Sequence, residues 1–195
     1  MVSRSEDGVV HRKMAYDYEN RLTSLSDGGI YGYDDTGSRV KKVEGGVTTY
    51  YYFANYEVEI EGAETREIKY YYADGVKVAQ RMRSSFVPDE YGTLFYLTDH
   101  LGSTTVIVDE SGDVVQRTGY LPYGERAYMV DGTGTSLGES RTRYMFTGQE
   151  EDGSGLYYYG ARYYDAELSR FVTADTVLDG LNRYAYCGNN PVKYV

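Results

Sequence analysis

The chain has 195 residues and a formal net charge of −10. That length suffices for one domain, or one and a part, with a core worth burying. The charge speaks against nucleic acid, since neutralising phosphates needs clustered Lys and Arg and no basic run is longer than a pair such as Lys41-Lys42.

No apolar stretch approaches the ~20 residues that span a bilayer, and the start, Met1-Val2-Ser3-Arg4-Ser5-Glu6-Asp7, has no apolar signal-peptide core. Cys187 is alone, so neither an internal disulfide nor a Cys-based zinc cluster is available. The 25 Tyr, 5 Phe and absence of Trp mean that much of the buried surface comes from rings whose hydroxyls need partners, which suits a thin sheet better than a thick dry core. With 23 Gly, 3 Pro and β-branched and aromatic residues between them, the sequence predicts many short strands joined by tight turns, an all-β fold.

In chain order, a repeat comes first. Tyr16-Asp17 is followed by Arg21-Leu22, and Tyr33-Asp34 by Gly37 and Arg39-Val40; Tyr50-Tyr51 falls a similar step further on. Each unit reads as a hairpin with Asp in the turn, unable to bury its own face and stabilised by stacking on its neighbours. In 67–80 an Asp74-Gly75 turn separates runs whose alternate members, Ile68, Tyr70 and Tyr72 then Val76 and Val78, share a face. A further hairpin joins 105–108 to 114–117 through Asp109-Glu110-Ser111-Gly112-Asp113. Residues 126–142 are polar and rich in Gly, Ser and Thr, and read as a long loop or flap. Helical periodicity is weak except around Glu167 and Leu181.

Several motifs lose to plainer readings. Asp99, His100 and Ser103 crowd into one turn and cannot converge on a common atom as a catalytic triad must. His11 and His100 are too far apart for metal-ligand spacing, and Gly132 to Gly138 lacks the strand-to-helix context of a dinucleotide fingerprint. No cofactor or metal is expected. The triplets at 50–52, 70–72 and 157–159 place tyrosines on both faces of a one-layer sheet; stacking of sugars on them is the alternative.

Two stretches carry a family likeness. Gly155-Leu156-Tyr157-Tyr158-Tyr159-Gly160-Ala161-Arg162-Tyr163-Tyr164-Asp165 runs on through Arg170-Phe171 to Asp175, and is followed by Asp179-Gly180-Leu181-Asn182-Arg183-Tyr184 and Asn189-Asn190-Pro191. Upstream stand Asp99-His100-Leu101-Gly102-Ser103 and Tyr120-Leu121-Pro122-Tyr123-Gly124-Glu125. These resemble the core that closes Rhs and other YD-repeat proteins, among them the cocoon subunits of bacterial toxin complexes, and the Tyr-Asp units resemble the YD repeat. The resemblance implies a curved, spiralling antiparallel sheet of stacked hairpins, with YD repeats over 1–92, the core over 93–195 and an inward-turned plug over about 155–195.

It also implies a function. The chain would be the closing segment of a β-shell around a C-terminal toxin of its own chain, assembled with the remainder of the shell and with a delivery or secretion apparatus. It would be secreted or delivered to a cell surface from a bacterium. An aspartyl self-cleavage would act once, just beyond Asn189-Asn190-Pro191 and near Val195, by two carboxylates sharing a proton, one as base and one as acid. Asp175 and Asp179 match the family's positions, Arg162 is the electrostatic helper and Asp165 a further candidate. Where the family has Asp-Pro this chain has Asp175-Thr176, and Leu178 replaces the expected Gly. The alternative is a non-catalytic, Tyr-rich cell-surface module for adhesion or carbohydrate binding.

Overall fold

The computed structural model describes residues 2–6, 9–87, 92–175 and 182–194, with side chains from Arg12 onward. It is all-β. Thirteen antiparallel strands each pair with the strand before: β1 (Val2–Glu6), β2 (Val9–Tyr16), β3 (Leu22–Leu25), β4 (Ile30–Tyr33), β5 (Arg39–Glu44), β6 (Val47–Phe53), β7 (Tyr56–Glu61), β8 (Glu64–Ala73), β9 (Val76–Ser84), β10 (Thr93–Thr98), β11 (Thr104–Val108), β12 (Val114–Tyr120) and β13 (Arg126–Val130). Pairing of β9 with β10 carries the sheet without a break across the junction near residue 92. Four short strands, β14 (Glu150–Glu151), β15 (Leu156–Tyr158), β16 (Tyr163–Asp165) and β17 (Arg170–Phe171), make a second antiparallel sheet.

Five turns along the large sheet share one design. At 17–21, 34–38, 99–103, 109–113 and 131–135 the first residue is Asp, its N–H donates to the fifth residue's carbonyl, and the fourth residue's N–H donates back to its own carbonyl. The fourth residue takes a positive φ, supplied by Asn20, Gly37, Gly102, Gly112 and Gly134. In each, the Asp carboxylate accepts the backbone N–H groups of the third and fifth residues, at 2.8–3.0 Å. The Asp of the Tyr-Asp unit is therefore a local cap that satisfies two N–H donors of its own turn.

The large sheet has two unlike faces. Its inner face carries Met14, Leu25, Tyr31, Lys42, Thr49, Ile68, Tyr70, Leu94, Tyr96 and Ile107, all buried. The segment 141–165 packs on that face. Leu156 and Tyr163 join Met14, Leu22, Leu25 and Tyr31 in one apolar cluster, while Met129, Met145, Phe146, Tyr157, Tyr164, Phe171 and Tyr186 form another at the β13 end. Tyr hydroxyls inside these clusters find acceptors: Tyr164 donates to the Tyr123 carbonyl at 2.7 Å, Tyr33 to that of Leu22 at 2.7 Å, and Tyr159 and Tyr186 meet at 2.9 Å.

Three sequence expectations shift. Residues 126–130 are the thirteenth strand rather than loop, because Tyr128 lies over Gly119, where a side chain would collide with its ring, and so completes the pair with β12. The covering segment starts earlier than residue 155, since Gln80 already holds the Arg141 carbonyl at 2.7 Å and Thr104 donates to that of Met145 at 3.0 Å. The two-residue Asp74-Gly75 turn puts Lys77, not Val76 or Val78, opposite Tyr72, and a bulge just beyond it leaves Val78 unpaired so that Tyr71 meets Ala79 and Tyr70 meets Gln80. Around Glu167 the chain makes a turn; Leu181 lies outside the described residues.

Candidate self-cleavage site and the buried charge network

Among the predicted site residues, the fold brings Arg162 and Asp175 together. Arg162 closes the Tyr159–Arg162 turn and lies over the Phe171 ring, its guanidinium carbon 3.7 Å from the centroid, with Nη1 2.8 Å from Asp175 Oδ2. The pair is partly open, with side chains 24% and 33% exposed, so a substrate peptide or water can reach it. Asp175 is held through its backbone as well: its N–H donates to the Arg183 carbonyl at 2.8 Å, and its own carbonyl accepts the Arg183 guanidinium. Arg183 leads directly into the segment that carries Asn189-Asn190-Pro191.

Asn189 and Asn190 are exposed after a short 3-10 turn, Cys187–Asn189, and Pro191 is buried. The carbonyl of Val192 meets His100 Nε2 at 3.1 Å, which docks this segment on the 99–103 turn. Asp165 is placed elsewhere. It is buried in β16, caps the Leu168 N–H at 3.0 Å and lines a cavity of ≈ 280 Å³ shared with Glu151 and Glu167. Asp179 and Val195 lie outside the described residues.

The strongest electrostatic feature was missed by motif reasoning. Arg39 and Lys42 on β5 face Glu150 and Asp152 of the second sheet, all four buried. Arg39 Nη2 meets Glu150 Oε2 and Nη1 meets Asp152 Oδ2, both at 2.6 Å; Lys42 Nζ meets the other oxygen of each at 2.7 and 2.8 Å. Tyr158 stacks on the Arg39 guanidinium at 4.1 Å, and Tyr51 donates to Glu150 at 2.8 Å. Next to them Arg143 pairs with Glu57 and Glu59 of β7, while Tyr144 and Tyr70 also donate to Glu57. Every strong acceptor oxygen thus has charged or hydroxyl donors, the condition under which buried ions persist.

The titration shifts follow. Burial works to raise the Glu150 carboxyl, yet Arg39, Lys42 and Arg143 outweigh it and hold it well below the usual carboxylate range. Glu44 and Glu151, at the edge of the network, go the other way: burial pushes both up, with Asp152 adding to it. Lys77, seated between the Tyr70 and Tyr144 rings, is pushed down to about 7 by burial, against the pull of Glu57 and Glu150. The one sequence trace of the network was the inverted pattern Glu57-Val58-Glu59-Ile60, in which the carboxylates, not the aliphatics, turn inward.

No model of a known protein family matches the chain. It is 37% identical over 102 residues to the toxin subunit YenC1 of Yersinia entomophaga, covering 51% of this chain and 10% of that protein. Salivary gland surface protein 1 of Aedes aegypti is 38% identical over 100 residues, covering 51% of this chain and 3% of that one. The tRNA nuclease WapA of Bacillus subtilis is 30% identical across 99% of this chain, which spans 8% of its length. The crystal structure of the TcdB2-TccC3 complex superposes with a TM-score of 0.79 at 22% identity, over 95% of this chain and 10% of the matched one. The chain thus spans a tenth or less of the relatives it matches. It has the fold seen in the TcdB2-TccC3 structure over 95% of its length, and sequence and fold together support the Rhs and toxin-complex resemblance.

Proposed function

We propose that the chain is the closing segment of an Rhs-type β-shell that encloses a toxin polypeptide continuing its own C-terminus, with residues 1–92 as YD-repeat wall and 93–195 as the associated core. One observation carries the reading. Strands β14–β16 are fixed to the inner face of β5–β7 by the buried Arg39, Lys42, Glu150 and Asp152 network, so the C-terminal segment is a plug against the wall and not an appendage of it. The similarity to toxin subunit YenC1 and to the TcdB2-TccC3 fold supports the same role. The partners would be the cargo, the rest of the shell and a delivery apparatus that takes the assembly out of a bacterium.

Within that reading, Asp175 and Asp179 form the carboxylate pair of a single-turnover self-cleavage just beyond Asn189-Asn190-Pro191. One carboxylate accepts a proton from water, and the other, protonated, polarises the scissile carbonyl. In this reading Asp175, whose carboxylate meets the Arg162 guanidinium at 2.8 Å, is the base and Asp179 the acid. This reading leaves out Asp165, which caps the Leu168 N–H and lines a different cavity.

The test is to extend the chain beyond Val195 by its natural continuation. The parent should appear as two fragments that stay associated, and Asp175→Asn or Asp179→Asn should give a single uncut band. If the extended parent stays whole, the alternative of a non-catalytic surface module takes precedence, a reading that the resemblance to the mosquito surface protein favours.

A further inference from the structure

The turn Asp99-His100-Leu101-Gly102-Ser103 between β10 and β11 cannot be a catalytic triad, yet it does more than reverse the chain. The Asp99 carboxylate holds the Leu101 and Ser103 N–H groups at 2.9 and 2.8 Å, and the buried Ser103 accepts the Thr147 N–H on its Oγ at 3.1 Å. Thr104 beside it donates to the carbonyls of Tyr144 and Met145 at 2.8 and 3.0 Å. The turn is therefore fixed at its base to the 144–147 segment, while the His100 imidazole stays exposed.

That imidazole meets the far end of the chain. Nε2 lies 3.1 Å from the Val192 carbonyl, and because a carbonyl oxygen only accepts, Nε2 carries the proton. The segment is also held at its start. Arg183 bonds the backbone of Asp175 through both its guanidinium and its carbonyl, the Phe171 N–H donates to the Tyr184 carbonyl at 3.0 Å, and Tyr186 is buried with its hydroxyl 2.9 Å from that of Tyr159. After Tyr186 the chain leaves the core. Residues 187–190 are exposed or half-buried, Pro191 is buried, and the N–H groups of Lys193 and Tyr194 turn back on the Asn190 carbonyl at 3.2 Å. Among the described residues, His100 is the side chain through which the large sheet hydrogen-bonds this stretch.

We propose that His100 is a positioning residue for the self-cleavage: it holds the segment leading to the bond to be cut, so that cutting requires the 99–103 turn and the C-terminal segment to be seated together. The inference rests on the self-cleavage reading and adds the contact that makes it conditional on the large sheet. Arg183 registers the segment against Asp175, and His100 registers it again beyond Pro191. Without the second contact the last fixed point is Pro191, and each residue beyond it adds roughly 3.3–3.6 Å to the sweep of the chain. A misplacement of about 1 Å already lowers a rate about a hundredfold. A general base would have to turn a lone pair toward the segment, whereas the nitrogen that faces it is a donor.

The test uses the chain extended beyond Val195 by its natural continuation, with cutting timed on gels and the cut bond identified by mass spectrometry. His100→Ala, and His100→Asn, whose amide stops at the Nδ1 position, should each be cut about tenfold more slowly than the parent with the far-ultraviolet circular dichroism unchanged. His100→Gln, whose amide N–H falls at the Nε2 position, should restore the rate to within about threefold. A second measurement needs no self-cleavage: in the extended Asp175→Asn chain, trypsin should cut after Lys193 about fivefold faster with His100→Ala than with His100 or His100→Gln, because the segment is no longer held. An extended parent that is never cut overturns the self-cleavage reading and this inference together. A parent that is cut, with His100→Ala cut as fast, overturns the inference alone, and so does equal trypsin cutting in all three backgrounds. His100→Gln as slow as His100→Ala would mean that the imidazole moves a proton, and overturns the positioning role.

Discussion

Asp99 and Asp152 open the same kind of five-residue loop, one in the large sheet and one in the small, and their carboxylates do different things. In both loops the Asp N–H donates to the fifth residue's carbonyl and a glycine of positive φ, Gly102 or Gly155, closes the turn. Asp99 then spends its carboxylate locally, on the N–H groups of Leu101 and Ser103. Asp152 sends its carboxylate away from the turn to Arg39 and Lys42, across more than a hundred residues of chain. The large sheet thus contains turns that cap themselves, and the small sheet is fastened to it by a turn whose cap has been diverted.

The largest effect should come from the diverted side. Arg39→Ala leaves Glu150 and Asp152 with Lys42 as the remaining cation of the four-residue cluster, and removal of one partner of a buried ion group costs about 3–5 kcal/mol. Urea unfolding should register that loss, and trypsin should cut the 141–165 segment in the variant well before the wall. A loss below ~1 kcal/mol would mean that the network is loosely solvated and does not fasten the plug. Acid gives a second reading. Because the folded Glu150 is held below its unfolded value, its contribution is present above the usual carboxylate range and is lost only as pH falls through its low folded value. Glu44 and Glu151, pushed up, gain from protonation as pH falls. Stability should therefore hold or rise slightly from pH 7 to about pH 5 and fall only in stronger acid, and a collapse between pH 6 and 5 would contradict both assignments.

Lys77 extends the comparison to alkaline pH. Its folded value of about 7 lies below the ordinary lysine range, so the unfolded chain binds more protons between pH 7 and 9 and stability should climb over that interval, by roughly 2 kcal/mol. Lys77→Met, which keeps the stem between the Tyr70 and Tyr144 rings, should flatten the climb and be the more stable protein at pH 7. A variant with the parent's slope would show that the ammonium reaches water.

Much of the wall was legible in the sequence because its causes are local. The two-residue Asp74-Gly75 turn of β8–β9 and Asp-led turns with Asn or Gly in fourth place, as in β11–β12, with alternation on either side, determine their hairpins without reference to anything distant. The plug's fastening was not legible, since Arg39, Lys42, Glu57 and Glu150 are separated by up to 111 residues and each alone reads as a solvated surface charge. The bulge beside Tyr71 was hidden for a related reason: it inserts Val78 and switches the inward-facing positions of β9 from Lys77 to Gln80, which no residue type in the strand announces. At the candidate site the likeness to a known core supplied Arg162 and Asp175, and the fold supplied what residue types could not, their contact beside the Phe171 ring.

The self-capped side should be milder. Asp99→Ala removes the acceptor for two turn N–H groups but leaves no buried ion without its partner, so the cost should be about 1 kcal/mol. Asp152→Ala should cost about three times as much despite the identical turn, because two buried cations lose a partner. Equal effects in denaturant titrations of the two variants would erase the distinction between capping and fastening.

The smallest effect on stability should accompany the largest on chemistry. Asp175 meets Arg162 in a partly exposed pair, and such pairs contribute about 0–1 kcal/mol. Its backbone bonds to Arg183 do not depend on the side chain. Asp175→Asn keeps the shape, so its unfolding midpoint should stay within ~1 kcal/mol of the parent's while self-cleavage of the extended chain disappears. Arg39→Ala should do the reverse when assayed under conditions where it remains folded: a large loss of stability, with cutting preserved wherever the plug stays seated. If Asp175→Asn unfolds the protein, or if it is cut at the parent's rate, then Asp175 belongs with the turn-capping aspartates of the wall and the carboxylate pair must be sought elsewhere.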